Sequence, residues 1–196
     1  MIIRIVAGAP AAYLNFDGGY VIAVDKGVKH CLNNNIKVDL AVGDFDSFDK
    51  NLVKVPMIEL NPEKDETDLY VALKKAIEMK PDKIFIYGAT NGRYDHFHAN
   101  INLLGLYDIT LVDEVNTIYV KSSSFKIKTQ DYISFFHYSG EPVLSLTNFK
   151  YSLGDYKLRP KDNLCISNEV ISTGSVEIKG GSVLIIESKK EDKVSS

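Results

Sequence analysis

The sequence predicts an α/β fold: an N-terminal, mostly parallel sheet flanked by helices, followed by a C-terminal antiparallel β-sandwich domain. In the first 120 residues, short apolar runs alternate with helical patterns, which is typical of a parallel sheet covered by helices. After about Val120 the apolar runs are short, alternate in polarity and are separated by Gly, Pro, Asn and Asp. Such runs are typical of a small antiparallel sandwich or barrel. We therefore expect two domains, residues 1–120 and 121–196.

The α/β half is predicted to contain five strands and three helices. The strands are expected at Ile2–Ala7, Tyr20–Val24, Asp39–Val42, Val55–Leu60 and Lys83–Tyr87. The helices are expected at Gly27–Asn34, Glu66–Met79 and Tyr94–Tyr107. In the second helix, Leu69, Leu73 and Ala76 recur at the 3.6-residue period of an amphipathic helix, so this face should pack on the sheet.

The second half is predicted to contain only short strands. They are expected at Ser124–Lys128, Tyr132–His137, Val143–Asn148, Asn163–Ser167, Ser175–Ile178 and Val183–Glu187. A domain built from strands of this length is marginally stable alone. We therefore expect it to be buried against a neighbour.

Composition and charge exclude several classes of protein. The chain has 196 residues and a net charge of -3, without the basic stripe of a nucleic-acid-binding protein. No segment approaches the roughly 20 apolar residues that span a bilayer, so no membrane association is expected. Cys31 and Cys165 have no metal-binding spacing, which favours a reducing, cytoplasmic location.

The most informative residues are acidic groups beside a few basic ones. They occur in Gly43-Asp44-Phe45-Asp46-Ser47, Lys64-Asp65-Glu66-Thr67-Asp68 and Gly92-Arg93-Tyr94-Asp95-His96. Clustered carboxylates repel one another unless a cation lies between them, and their oxygens suit a hard divalent ion such as Mg²⁺, with Mn²⁺ as the alternative. Lys64 and Arg93 suit phosphate oxygens. The combination indicates phosphoryl-type transfer from a nucleotide.

These groups follow the predicted strands at their carboxyl ends. Asp25 and Gly27 follow the strand that ends at Val24, and the Asp44 and Asp46 cluster follows the strand that ends at Val42. The Arg93 cluster follows the strand that ends near Tyr87, at the start of a helix. Open α/β sheets bind their ligands at this edge, so the clusters are expected to meet there.

Each cluster also has a purely structural interpretation. Asp44 and Asp46 could form a turn, and Asp65 and Asp95 could cap the helices that follow them. An EF-hand is excluded, because the twelfth residue from Asp44 is Val55 rather than Glu. The phosphate loops GxxxxGK[ST] and GxGxxG are both absent from the sequence.

In their order along the chain, these motifs resemble those of the thiamine pyrophosphokinase family. The matching stretches are Val24–Gly27, Gly43–Ser47, Lys64–Asp68, Gly88–Leu104, Phe149–Leu153 and Ile166–Glu169. The resemblance covers nearly the whole chain. It implies transfer of the terminal diphosphate of ATP to the hydroxyl of thiamine, giving thiamine diphosphate and AMP. It also implies a homodimer with each active site at the subunit interface, and a C-terminal domain that binds thiamine and dimerises.

The resemblance also implies roles for individual residues. The metal-binding and catalytic carboxylates would be Asp44, Asp46 and Asp68. The nucleotide-binding residues would be Asp25, Gly27, Ser47, Lys64, Asp65, Thr67, Arg93, Asp95 and His96. The thiamine-binding residues would be Tyr151, Ser167 and Asn168, where Tyr151 offers an aromatic face in place of the Trp found in some members.

Three other functions remain open on the sequence. A phosphatase of the haloacid-dehalogenase type would use Asp44 as nucleophile and Asp46 as acid, although that class has Thr or Val where Phe48 stands. A non-catalytic module would bind nucleotide or thiamine without forming AMP. A related enzyme would transfer diphosphate to another hydroxyalkyl heterocycle, because the acidic clusters act on the nucleotide side.

Overall fold

The computed structural model describes residues 1–10, 13–45, 54–61, 63 and 65–190. The chain divides into two compact units, Met1–Asp113 and Glu114–Ser196. The predicted fold class is confirmed, since a parallel sheet flanked by helices is followed by antiparallel strands. Across the described residues, no helix is both long and apolar enough to cross a membrane.

The first unit contains a parallel sheet and three helices. Its strands are β1 Ile2–Val6, β2 Tyr20–Val24, β3 Leu40–Gly43, β4 Met57–Glu59, β5 Lys83–Tyr87 and β6 Ile109–Val112. They lie in the order β6-β5-β1-β2-β3-β4, and every neighbouring pair is parallel. The helices are α1 Gly27–Asn33, α2 Asp68–Glu78 and α3 Tyr94–Leu103. All the carboxyl ends therefore lie at one edge of this sheet.

Helices α1 and α2 bury apolar faces. Helix α1 buries Val28 and Cys31 in a cluster with alternate residues of the strands, among them Val6 and Ala23. Gly27 allows this close approach, because a Cβ there would lie 1.9 Å from the carbonyl oxygen of Val6. Helix α2 buries Leu69, Ala72, Leu73 and Ala76, as its amphipathic pattern predicts.

The start of α2 differs from the expected one. The helix begins at Asp68, and Thr67 is the N-cap, with its Oγ1 accepting a hydrogen bond from the Tyr70 amide at 3.2 Å. The structural interpretation of Asp65 as the cap is therefore wrong. At an N-cap, a threonine hydroxyl accepts a hydrogen bond from an otherwise unpaired amide, as an aspartate carboxylate does. The sequence alone therefore fits either Asp65 or Thr67 as the N-cap.

The second unit is an antiparallel arrangement built on two long strands. Its strands are β7 Asn116–Lys121, β8 Phe125–Ile127, β9 Tyr132–Phe149, β10 Leu153–Lys157 and β11 Val170–Ser188. Strand β9 pairs with β10 and β11, and β11 also pairs with β7 and β8. Phe135 and Phe149 meet edge to face at 6.0 Å in its core.

Several of the short strands predicted in this half are wrong in extent. Strand β9 contains two predicted strands, Tyr132–His137 and Val143–Asn148. Strand β11 likewise contains Ser175–Ile178 and Val183–Glu187. Gly140 and Gly180 have φ of 70° and 75°, so the two strands bend together and stay paired across the interruption. Asn163–Ser167 forms turns rather than a strand, while β6, β7 and β10 had no predicted counterpart.

Candidate active site

Three carboxylates meet at the carboxyl edge of the parallel sheet. Asp25 follows β2, Asp44 follows β3, and Asp68 is the first residue of α2. All three line a cavity of about 540 Å³. Its remaining wall comes from the segments after β1 and β5 and from the start of α3. The cavity thus lies where open α/β sheets bind ligands.

Among the carboxyl groups that line this cavity, Asp25 has a pKa well above its ordinary value. Burial raises its pKa to about 7, and a hydrogen bond with Asp68 and the charges of Asp68 and Asp44 act in the same direction. The backbone amide of Asp44 has the opposite, smaller effect. Oδ1 of Asp25 is buried and has no hydrogen-bond partner among the described residues. Within the part of the chain that the structure describes, this oxygen therefore lacks the partner that its burial calls for.

The backbone conformation at Asp25 and the absence of a side chain at Gly43 determine where the Asp25 carboxylate lies. Asp25 has φ of 46°, in the left-handed region that Asp tolerates better than most residues, and its amide donates to the carbonyl of Val42 at 3.0 Å. A Cβ on Gly43 would lie 1.9 Å from Oδ1 of Asp25. Glycine at position 43 therefore leaves the space that the Asp25 carboxylate occupies.

Helix α3 and the residue before it contribute an amide group and a basic group to the cavity lining. Arg93 precedes α3, and its guanidinium forms a two-point contact with Asp95, at 3.1 Å from Nε to Oδ1 and 2.5 Å from Nη2 to Oδ2. This contact and the His96 amide lower the pKa of Asp95 to about 2. Asn100 is buried and donates from Nδ2 to the Ala89 carbonyl at 2.9 Å, which holds α3 against the segment after β5.

The structure brings together part of the predicted nucleotide and metal set. Asp25, Asp44, Thr67, Asp68, Arg93 and His96 all line the cavity. Gly27 is buried beneath it in the packing of α1 on β1, and Asp65 and Asp95 are exposed and are not among its lining residues. Asp46, Ser47 and Lys64 lie outside the described residues.

Sequence reasoning missed other residues of the cavity wall. Gly8, Ala9 and Pro10 follow β1, and Lys26 follows Asp25. The same rule of strand carboxyl ends would have identified Gly8–Pro10, because they follow a predicted strand. Asn100 lies within the stretch Gly88–Leu104 that resembles the family, but no role was predicted for it. It lies seven residues after Arg93, two turns along the same helix face, so a helical projection from Arg93 also indicates it.

The carboxylate cluster fits a divalent cation by its charge. Among the described residues there is no group of three or more His, Cys, Asp or Glu side chains already spaced to hold a metal ion. However, Oδ1 of Asp25 is buried without a partner among the described residues, and burial together with the nearby carboxylates Asp68 and Asp44 raises the pKa of Asp25. Oxygen donors of this kind suit Mg²⁺ or Mn²⁺ better than zinc or copper.

The three residues predicted for thiamine lie together in the second unit. Tyr151 is 61% exposed, whereas Asn168 is only 2% exposed. The Asn168 side chain accepts from the Tyr151 amide at 3.0 Å and donates to the Tyr151 carbonyl at 2.8 Å. Ser167 has φ of 53°, and its amide donates to Ser134 Oγ at 3.0 Å. Asn168 thus holds Tyr151 in place from beneath.

Comparison with protein families finds matches over both units. A family model described as thiamin pyrophosphokinase, catalytic domain, matches residues 13–113. A second, described as thiamin pyrophosphokinase, vitamin B1 binding domain, matches residues 116–185. Together the two models cover most of the chain, in the same order as its two units.

Individual relatives agree with the family models. The thiamine pyrophosphokinase of Bacillus subtilis (strain 168) is 37% identical and is matched over 95% of this chain and 98% of its own length. A crystal structure of thiamine pyrophosphokinase from Bacillus subtilis has a TM-score of 0.88 at 34% identity, covering 97% of this chain and 100% of that chain. One from Geobacillus thermodenitrificans has a TM-score of 0.86 at 31% identity, covering 97% and 99%.

Proposed function

This chain belongs to the thiamine pyrophosphokinase family, and we propose that it transfers the diphosphate of ATP to the hydroxyl of thiamine, giving thiamine diphosphate and AMP. The observation that carries the ATP assignment is the cavity with Asp25, Asp44 and Asp68 on one wall and Arg93 on another. Such a pairing suits a charged polyphosphate whose oxygens need both a metal and a guanidinium.

The carboxylates are the metal-binding wall of this cavity. We assign Mg²⁺ to Asp44, Asp46 and Asp68, because Asp25 lines the cavity beside Asp44 and Asp68 with a buried oxygen that has no partner among the described residues. When bound, the ion neutralises charge on the diphosphate oxygens. The same carboxylates are the bases available at this edge to accept the proton of the attacking thiamine hydroxyl.

The basic groups of the cavity lining bind and orient the phosphates. Arg93 already presents a planar fork to the Asp95 carboxylate, and phosphate oxygens offer the same two-point geometry. Lys26 and His96 add polar groups to the lining. Positioning and charge neutralisation are the main contributions to phosphoryl transfer, so these residues act by holding ATP in line with the hydroxyl.

We assign thiamine binding to the second unit, around Tyr151, Ser167 and Asn168, and a homodimer to the whole protein. Exposed apolar side chains support an interface on this unit: Tyr151, Leu164, Ile166 and Ile171 are 61%, 62%, 45% and 73% exposed. Apolar groups this exposed are typical of surfaces that another protein covers. Cys31 and Cys165 are free thiols, which supports our assignment to the cytoplasm.

The products of ATP turnover test this function. The purified chain is incubated with ATP and Mg²⁺, with and without thiamine, and then with EDTA, and AMP, ADP and phosphate are separated. Thiamine-dependent AMP that disappears in EDTA is the expected result. ADP or free phosphate as the product would contradict diphosphate transfer, and thiamine binding without turnover would leave only a binding module.

A further inference from the structure

A bridging carboxylate joins two lysines beside the proposed thiamine-binding residues. Glu169 accepts from Lys150 Nζ at 2.7 Å through Oε1 and from Lys190 Nζ at 2.5 Å through Oε2. The two lysines come from distant parts of the sequence, and Glu169 directly follows Asn168. A single side chain therefore connects the turn at Lys150 with the end of β11.

Each of these ammonium groups also lies over a tyrosine ring. Lys150 Nζ is 5.6 Å from the centroid of Tyr151, and Lys190 Nζ is 5.2 Å from that of Tyr132. Both rings are partly open to solvent, at 61% and 36% exposure. The five residues thus form a continuous chain from Tyr151 through Lys150, Glu169 and Lys190 to Tyr132.

The backbone and the ring of Tyr151 are held by different neighbours. Asn168 contacts the amide and the carbonyl of Tyr151, which fixes the main chain but leaves the side-chain torsions free. The contact with Lys150 lies on the ring itself. Both ion pairs remain partly open to solvent, since the side chains of Glu169, Lys150 and Lys190 are 26%, 55% and 32% exposed. Solvent screening limits what such pairs add to stability, so a role in orientation fits this arrangement better than a role in folding.

We propose that Glu169 is a positioning residue: by holding Lys150 and Lys190, it orients the Tyr151 and Tyr132 rings as an aromatic surface for the substrate heterocycle. This inference rests on the proposed binding of thiamine at Tyr151. An aromatic ring held in one orientation loses less conformational entropy when a ligand stacks on it. The effect is therefore expected in thiamine binding and not in the use of ATP.

Steady-state kinetics of Glu169→Gln test the proposal. Thiamine KM should rise roughly threefold or more, the order expected for loss of screened ion pairs, while kcat and ATP KM stay within about twofold. Glu177→Gln is the matched control, since Glu177 is an exposed carboxylate on the neighbouring strand β11. An unchanged thiamine KM in folded Glu169→Gln would overturn the proposal.

Two further variants separate positioning from other effects. Lys150→Gln should raise thiamine KM as well, and the double variant with Glu169→Gln should be no worse than Glu169→Gln alone, because both changes release the same ring. Recovery of thiamine KM in the double variant would instead show simple charge compensation and would overturn positioning. Tyr151→Ala should raise thiamine KM; if it does so while Glu169→Gln does not, the thiamine site stands and this proposal fails. If neither changes it, both fail.

A spectroscopic readout is independent of catalysis. The chain has no tryptophan, so Tyr151→Trp introduces a single reporter at the ring in question. Its fluorescence anisotropy decay should show a larger amplitude of fast local motion when Glu169→Gln is added, and no such change with Glu177→Gln. Equal amplitudes in all three proteins would contradict a role for Glu169 in holding this ring.

Discussion

At the scale of single residues, the raised pKa of Asp25 makes the stability of the protein depend on pH. Its pKa in the folded chain is about 7, above the ordinary value of 3.8, because burial and the neighbouring carboxylates disfavour the charged form. The folded state therefore binds this proton more tightly than the unfolded state does. Between about pH 4 and pH 7 stability falls as the pH rises, and the full cost remains above pH 7.

Removal of this charge should stabilise the metal-free protein at alkaline pH. In EDTA at pH 8, Asp25→Asn should raise the free energy of unfolding by about 1 to 2 kcal/mol, after discounting for the solvent that reaches this half-buried group. Near pH 4 the gain should be absent. Denaturant unfolding at both pH values measures it, and parallel pH profiles for the two proteins would show that the Asp25 charge is not the cause.

Arg93 is the residue whose loss should separate phosphate binding from thiamine binding. Arg93→Gln keeps a polar side chain but removes the two-point fork, so ATP KM should rise about tenfold or more while thiamine KM changes little. Arg159→Gln, which changes an exposed arginine of the second unit, is the control. Equal effects of Arg93→Gln on both substrates would place the guanidinium outside the nucleotide site.

At the scale of elements, the contact of α1 with β1 depends on one glycine. Gly27→Ala would place a methyl group 1.9 Å from the Val6 carbonyl oxygen, so the helix must move. We expect a loss of about 2 to 3 kcal/mol in the free energy of unfolding. Gly154→Ala is the matched control, because a Cβ there meets nothing within 4 Å, and it should change stability by less than about 0.5 kcal/mol. Equal stabilities of the two variants would contradict the packing described.

The elements of the first unit could be predicted well from sequence, and those of the second less well. Strands β2 and β5 begin and end at the predicted residues, since each is an apolar run followed by a polar loop. In β9 and β11 the alternating pattern is interrupted at Gly140 and Gly180, which local rules interpret as strand ends. Only the pairing of the two strands with each other shows that the interruptions are bends.

In the candidate site, residues that follow strands could be predicted from the local sequence, whereas their contacts with one another could not. Asp25, Asp44 and Asp68 could be assigned to one edge because each follows a strand or begins a helix. The sequence did not indicate that Asp25 interacts with both Asp68 and Asp44, since its position depends on the space left by Gly43. Nor did the sequence indicate that the Asn168 side chain forms hydrogen bonds with the main chain of Tyr151.

At the scale of the whole molecule, the order of strands determines what the first unit can do. The order β6-β5-β1-β2-β3-β4 places the loops after β1, β2, β3 and β5 next to one another at one edge. Together with the start of α2, five separate segments then contribute to one cavity, which is lined by acidic residues and by Arg93. This arrangement brings motifs that are far apart in sequence into one cavity, and the carboxylate cluster is its central feature.

The most direct test of this account is AMP formation by Asp44→Asn and Asp68→Asn, measured with ATP, thiamine and Mg²⁺. Each change removes one negative charge from the cluster and keeps the side-chain shape, so turnover should fall at least about a hundredfold while the protein stays folded. Asp82→Asn, at an exposed carboxylate just before β5, should leave turnover unchanged. Near-normal AMP formation by either folded cluster variant would contradict the assignment of diphosphate transfer to these carboxylates.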